Sequence, residues 1–115
     1  MSFTSTIEII NGTAHITLSG ELDASVAPLF REKVEEAAHA QAQRLVLLMG
    51  DLEYMASAGL RALAYAKQKM GPNVDIYMIS VQEPVLDTLT QTGFVNSVIL
   101  LDAYDASQIE TSGNE

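Results

Sequence analysis

Leu45-Val46-Leu47-Leu48-Met49 is a run of five apolar residues with no polar residue at alternate positions. A strand with one wet face shows period-two alternation. A strand without it is covered on both faces, the condition of a strand inside a parallel sheet. Parallel neighbours are joined by crossovers long enough to hold a helix. The run therefore directs the chain towards an α/β architecture.

The flanking segments fit that plan. Thr6–Ile10 and Ala14–Ser19 surround Asn11-Gly12, a pair that accepts positive φ at both turn positions and marks an antiparallel hairpin. In the second arm Ile16 and Leu18 alternate with His15, Thr17 and Ser19, so His15 is expected on the surface and not as a ligand. Gly20-Glu21-Leu22-Asp23 closes that arm and leads into a helix that Asp23 or Ser25 can cap, with Pro28 in its first turn. Val26, Phe30, Val34 and Ala37/Ala38 recur at helical spacing among charged residues, which makes the helix amphipathic.

After Leu45–Met49 a short loop is expected, then a helix with Leu60, Leu63 and Ala64 inward and Arg61, Tyr65, Gln68 and Lys69 outward, ended by Gly71-Pro72-Asn73. Val74–Ser80 reads as a strand and Glu83-Pro84 opens a short helix that Gly93 stops. Val98–Leu101 reads as a last strand, and Asp105–Glu110 as a final helical turn or two. Residues 1–110 form one domain, and residues 111–115 are expected to be a disordered tail. The expected fold is α/β: a mixed, mostly parallel sheet with an N-terminal antiparallel hairpin and three to four helices packed against it. In such sheets the functional rim lies beyond the carboxyl ends of the strands. The loops Gly20–Asp23 and Gly50–Ser57 should meet there.

At 115 residues the chain can bury a core without staples, and with no cysteine it has neither disulfides nor thiolate metal sites. No apolar run approaches a membrane span and no signal peptide is evident, so a cytoplasmic protein is expected. Fifteen acidic against six basic residues give a net charge of −9, which repels nucleic acid phosphates. The cations are unevenly spread. Between Glu53 and Asp75 there is no acid, while Arg61, Lys67 and Lys69 all lie there. That segment is either a solvated helix face or a locally positive docking face.

Ser57 stands between the apolar strand and the helix, where an N-cap is needed. It serves there as a plain cap. The same place also suits an anion, because the helix dipole and free N–H groups favour negative charge. A serine hydroxyl that can become a phosphate without breaking the fold is the sharper reading.

Gly20-x-Leu22-Asp23, an apolar strand, Asp51-Leu52, then Met55-x-Ser57-Ala58-Gly59-Leu60 resembles the STAS domain of bacterial anti-sigma factor antagonists. The Gly93-Phe94 break is also similar, and the resemblance covers nearly the whole chain. It implies a STAS-like fold without enzymatic activity or cofactor, and Ser57 as the phosphoacceptor. The implied partner is an anti-sigma factor with serine kinase activity, with a serine phosphatase as the reversing enzyme. Unphosphorylated, such a domain binds the anti-sigma factor and frees a sigma factor. Asp23, Met55, Ala56, Ser57, Ala58, Gly59, Leu60, Arg61 and Tyr65 would form the partner face. The chain departs from the family at Ala56, where an aspartate usually stands, and at Ala58, where a second hydroxyl is often found. The first change removes a carboxylate that would position the serine or repel a phosphate.

Two other readings compete with this one. Met55-Ala56-Ser57-Ala58-Gly59 lies strand-to-helix like a hydrolase nucleophile elbow, but the glycine two residues before the serine is missing and no histidine follows Ser57. His15 and His39 have no ligand spacing to each other, and neither a P-loop nor a dinucleotide fingerprint is present. STAS proteins similar to this one also serve as cytoplasmic subunits of ABC-type phospholipid transporters, or as adaptors in larger signalling assemblies. In the transporters the same helix face would dock on an ATPase subunit with no kinase.

Overall fold

The computed structural model describes residues 2–107 and Ile109. The expected tail, residues 111–115, and Glu110 lie outside the described residues. The element order is β1 (Thr4–Ile10), β2 (Thr13–Leu22), α1 (Ala27–His39), β3 (Arg44–Met55), α2 (Ser57–Met70), β4 (Asp75–Ile79), α3 (Glu83–Thr92), a 3-10 turn (Phe94–Ser97) and β5 (Ile99–Leu101). Ala106, Ser107 and Ile109 are helical. No helix among the described residues is long and apolar enough to cross a membrane.

The five strands form one sheet in the order β1-β2-β3-β4-β5. β1 and β2 are antiparallel, joined at Asn11 (φ 52°) and Gly12 (φ 80°), the conformation a tight two-residue hairpin demands. All the other pairings are parallel. The crossovers are α1, α2 and α3, as the alternation of strand and helix signals requires.

β3 lacks alternation because both of its faces are covered. Leu45, Leu47 and Met49 pack with Phe30 and Val34 of α1, Leu63 and Ala66 of α2, and Val85 and Leu89 of α3. Val46 faces the other way and packs with Tyr77, Ile79 and the fully buried Ile109. The C-terminal segment thus covers part of the sheet face that the three helices leave open. Each large apolar side chain buried in this way contributes about 1.5–3 kcal/mol.

Two expectations of strand length are corrected. β2 continues through Leu22 and β3 through Met55, where loops had been expected after Ser19 and Met49. The pairing passes from Thr17↔Leu48 to Ser19↔Asp51 and from Gly20↔Leu52 to Glu21↔Tyr54, so β3 carries one extra residue at each step. These bulges shift the phase of the side chains and hide the strand from a period-two reading.

The helix starts also differ. α1 has Val26 at its N-cap, with no side-chain cap, and not Asp23 or Ser25. In α2 Gly59, Ala62, Leu63 and Ala66 are the buried residues. Leu60 is half-buried and Ala64 exposed, although both were expected inside. The small residues face inward because α2 lies close against the sheet and α1. His15 is half-buried and shares a 3.1 Å hydrogen bond with the Tyr104 hydroxyl, so it belongs to the contact with the C-terminal segment and not to open surface.

Candidate partner-binding site at the start of α2

Leu22 and Met55 are paired at the ends of β2 and β3, and the Ala56 N–H donates to the Leu22 carbonyl at 2.9 Å. Asp23 and Ala56-Ser57 therefore leave the sheet side by side. The two loops expected to meet on the carboxyl rim do meet, one shortened to residues 23–26 and the other to Ala56 alone.

The helix cap is Ala56, extended at φ −82°, ψ 173°, and Ser57 is the first helical residue. This corrects the expectation of Ser57 as N-cap. Because β3 runs on to Met55, one residue remains to turn the chain, and that residue is Ala56. The Ala56 carbonyl accepts from Gly59 N–H at 2.9 Å and Leu60 N–H at 3.2 Å, while no side chain caps the helix. The Ser57 and Ala58 amides of the first turn thus have no intrahelical carbonyl to meet them. Ser57 is exposed there, with Ala56 and Ala58 half-buried on either side.

Gly59 fixes how closely α2 approaches the strand ends. A Cβ at this position would stand 2.7 Å from Met55 Cγ and 2.9 Å from Leu22 Cγ. Real Cβ atoms do not tolerate such contacts, so glycine lets the first turn of α2 rest directly on the two strand ends. Met55 and Leu22 are themselves buried. Met55 and Gly59 therefore act beneath the rim as supports, whereas Ser57 and Arg61 are exposed on it or just beyond.

Asp23 uses its carboxylate locally. Its Oδ1 accepts the Ser25 hydroxyl at 2.7 Å and the Ser25 N–H at 3.0 Å. The Ser25 hydroxyl is the largest influence, joined by the backbone N–H groups of Ser25 and Val26, and together they hold the Asp23 carboxyl below the usual aspartate value. A fixed anion therefore shares the rim with the neutral Ser57 hydroxyl.

Tyr65 lies two turns along α2. Its hydroxyl donates to Glu35 Oε2 on α1 at 2.7 Å, and the Arg31 guanidinium lies 4.8 Å from its ring centroid. These contacts join α1 to α2. Two exposed apolar side chains near the strand ends and α1 start are not among the residues the spacing singles out: Tyr54, 49% exposed, and Leu29, 44% exposed. The only signal for Tyr54 was its place beside Met55 in a segment that reads as loop.

Among the described residues no three carboxylate or imidazole groups converge as a metal cage requires. The arrangement offers instead a hydroxyl on an uncapped helix start, an anion beside it in the topology, and a firm base under both.

Comparison with known proteins identifies relatives of the chain and of its fold. An anti-sigma-F factor antagonist of Mycobacterium tuberculosis, RsfB, is 29% identical over 79 residues, which is 69% of this chain and 65% of that protein. The chain thus spans just under two thirds of the length of the curated relatives it matches. The crystal structure of an anti-sigma factor antagonist from Mycobacterium paratuberculosis superposes with a TM-score of 0.83 at 21% identity, over 99% of this chain and 96% of that one. The anti-sigma factor antagonist SpoIIAA in its unphosphorylated form gives 0.79 at 17% identity, over 97% and 98% of the two chains. The Bacillus SpoIIAA in its phosphorylated form gives 0.71, also at 17% identity, over 95% and 99%. These likenesses establish the fold. Residues 4–110 match the STAS domain family, and the chain belongs to it.

Proposed function

We propose that this domain is an anti-sigma factor antagonist. Without phosphate on Ser57 it binds an anti-sigma factor that has serine kinase activity, and so frees a sigma factor. Phosphorylation of Ser57 by that kinase ends the binding, and a serine phosphatase restores it. The domain itself is a binding protein and catalyses nothing.

The observation that carries this reading is the setting of Ser57, exposed on the first residue of α2 above the buried Gly59 contact. The antagonist names borne by RsfB and SpoIIAA support it, as does the existence of SpoIIAA in both phosphorylation states.

The physical form of the switch is simple. A phosphate adds about −1.5 to −2 charge at neutral pH. The uncapped start of α2 accommodates that charge with a favourable contribution of about 0.3–1 kcal/mol. Ala56 adds no carboxylate to oppose it. Inside a tight partner interface the same charge is unfavourable through desolvation unless the partner supplies cations. Phosphorylation then leaves the domain folded and weakens the complex.

The test is incubation with ATP and the cognate anti-sigma factor, followed by intact-mass measurement. Wild type gains one phosphate and Ser57→Ala gains none. A phosphate on the alanine variant would move the switch to another residue.

A further inference from the structure

Away from the Ser57 rim, a groove of about 840 Å³ runs along α2 between α1 and the 3-10 turn. Its walls include Arg31, Arg61, Lys67, Tyr65, Pro72 and Phe94. Three of the chain's six basic residues thus line one depression on a body of net charge −9. No acidic side chain lines it. The nearest connected carboxylate, Glu35, is already engaged by the Tyr65 hydroxyl.

The cations are available. Lys33 pairs with Glu36, and among the described residues neither Arg61 nor Lys67 has a carboxylate within ion-pair distance. Arg31 lies over the Tyr65 ring, which holds its guanidinium at the groove without neutralising it. Between the cations the surface is apolar, formed by Ala64, Pro72, Phe94 and the Tyr65 ring. The groove is shallow and open along its length, which suits an extended or helical segment better than an enclosed small molecule.

We propose that this groove is a second docking site, for an acidic amphipathic segment of a partner protein. Charge complementarity selects the occupant. An acidic segment is repelled by the rest of the surface and attracted here, and its apolar side chains have Phe94, Tyr65 and Ala64 to cover. The groove begins at Arg61, one turn beyond Ser57 on the same helix, and runs from there away from the rim to Pro72 and Phe94.

The test uses a fluorescein-labelled synthetic peptide helix with Glu on one face and Leu and Phe on the other, titrated with the intact protein and read by anisotropy. A peptide with Lys in place of Glu is the counterpart. The acidic peptide binds and the basic one does not, and binding weakens as salt rises to about 0.3 M. The double variant Arg61→Gln/Lys67→Gln lowers affinity about tenfold. Lys33→Gln/Lys69→Gln, which removes equal charge outside the groove, leaves affinity unchanged. Ala64→Glu, on an exposed position of the groove, abolishes binding.

Equal losses from the two double variants would reduce the effect to net charge and overturn the proposal. So would displacement of the peptide by citrate as effectively as by unlabelled peptide, which would make the groove a small-anion site. Ser57→Asp, one turn before Arg61, lowers peptide affinity by no more than about twofold through that one cation, and a loss equal to that of the groove variant would merge the two sites and sink the idea of a separate one. None of these results bears on whether Ser57 is phosphorylated.

Discussion

A Cβ on Gly59 would stand 2.7 Å from Cγ of Met55, so the first turn of α2 and the end of β3 are as close as a helix and a strand end can come. That contact places Ser57, two residues earlier, at the sheet rim. Gly59→Ala gains up to about 1 kcal/mol of helix propensity but forces Met55 and Leu22 to move, at about 1–3 kcal/mol. The net expectation is destabilisation. Urea unfolding followed by circular dichroism should show a lower midpoint than wild type.

The Asp23 carboxyl sits below the usual aspartate value chiefly because the Ser25 hydroxyl bonds to it. The folded value is depressed, so the stability it contributes is present above the ordinary value and is lost as pH falls through the lower folded one. Ser25→Ala should move the Asp23 titration upward towards the ordinary value, as followed by carboxyl-carbon NMR. An unchanged titration would mean that the backbone amides alone set it.

Tyr65 behaves in the opposite sense. The hydrogen bond to Glu35 favours the neutral phenol and raises its pKa above the usual tyrosine value of about 10. Its stabilising contribution is full below that value and is lost as pH rises through the higher folded one. Glu35→Gln should lower the Tyr65 titration in a spectrophotometric phenolate assay, and Tyr65→Phe should delete that late step.

Ile109 is fully buried against Val46, Tyr77 and Ile79 on the sheet face opposite the helices. Ile109→Ala should cost about 2–4 kcal/mol by lost burial and a residual cavity. The check is again the urea midpoint. A shift within error would show that the C-terminal segment adds nothing to the folded state.

Much of the architecture was legible because its signals are local. Asn11-Gly12 announces a hairpin, unbroken Leu45–Met49 announces a doubly covered strand, and the spacing of Phe30, Val34 and Ala37 announces a helix face. The rim was less legible. Gly50-Asp51 has the composition of a turn, yet the partner strand continues to Leu22 and the ladder follows it through two bulges. A bulge is decided by the neighbour, not by the strand's own pattern. That extension moved the N-cap from Ser57 to Ala56 and brought Tyr54 onto the strand. The inward face of α2 differs from its expected stripe for a related reason. Close approach selects Gly59, Ala62 and Ala66, small residues that carry little hydrophobic signal of their own. Ile109 buries against strands far away in sequence, and no local periodicity marks it.

The central claim is that one phosphate on Ser57 separates this domain from its partner. Isothermal titration of the cognate anti-sigma factor with two forms of the protein, one unmodified and one carrying phosphoserine at position 57, measures it directly. The unmodified form should bind at least about tenfold more tightly while both forms give the same circular dichroism spectrum. Equal affinities of two folded forms would contradict the switch.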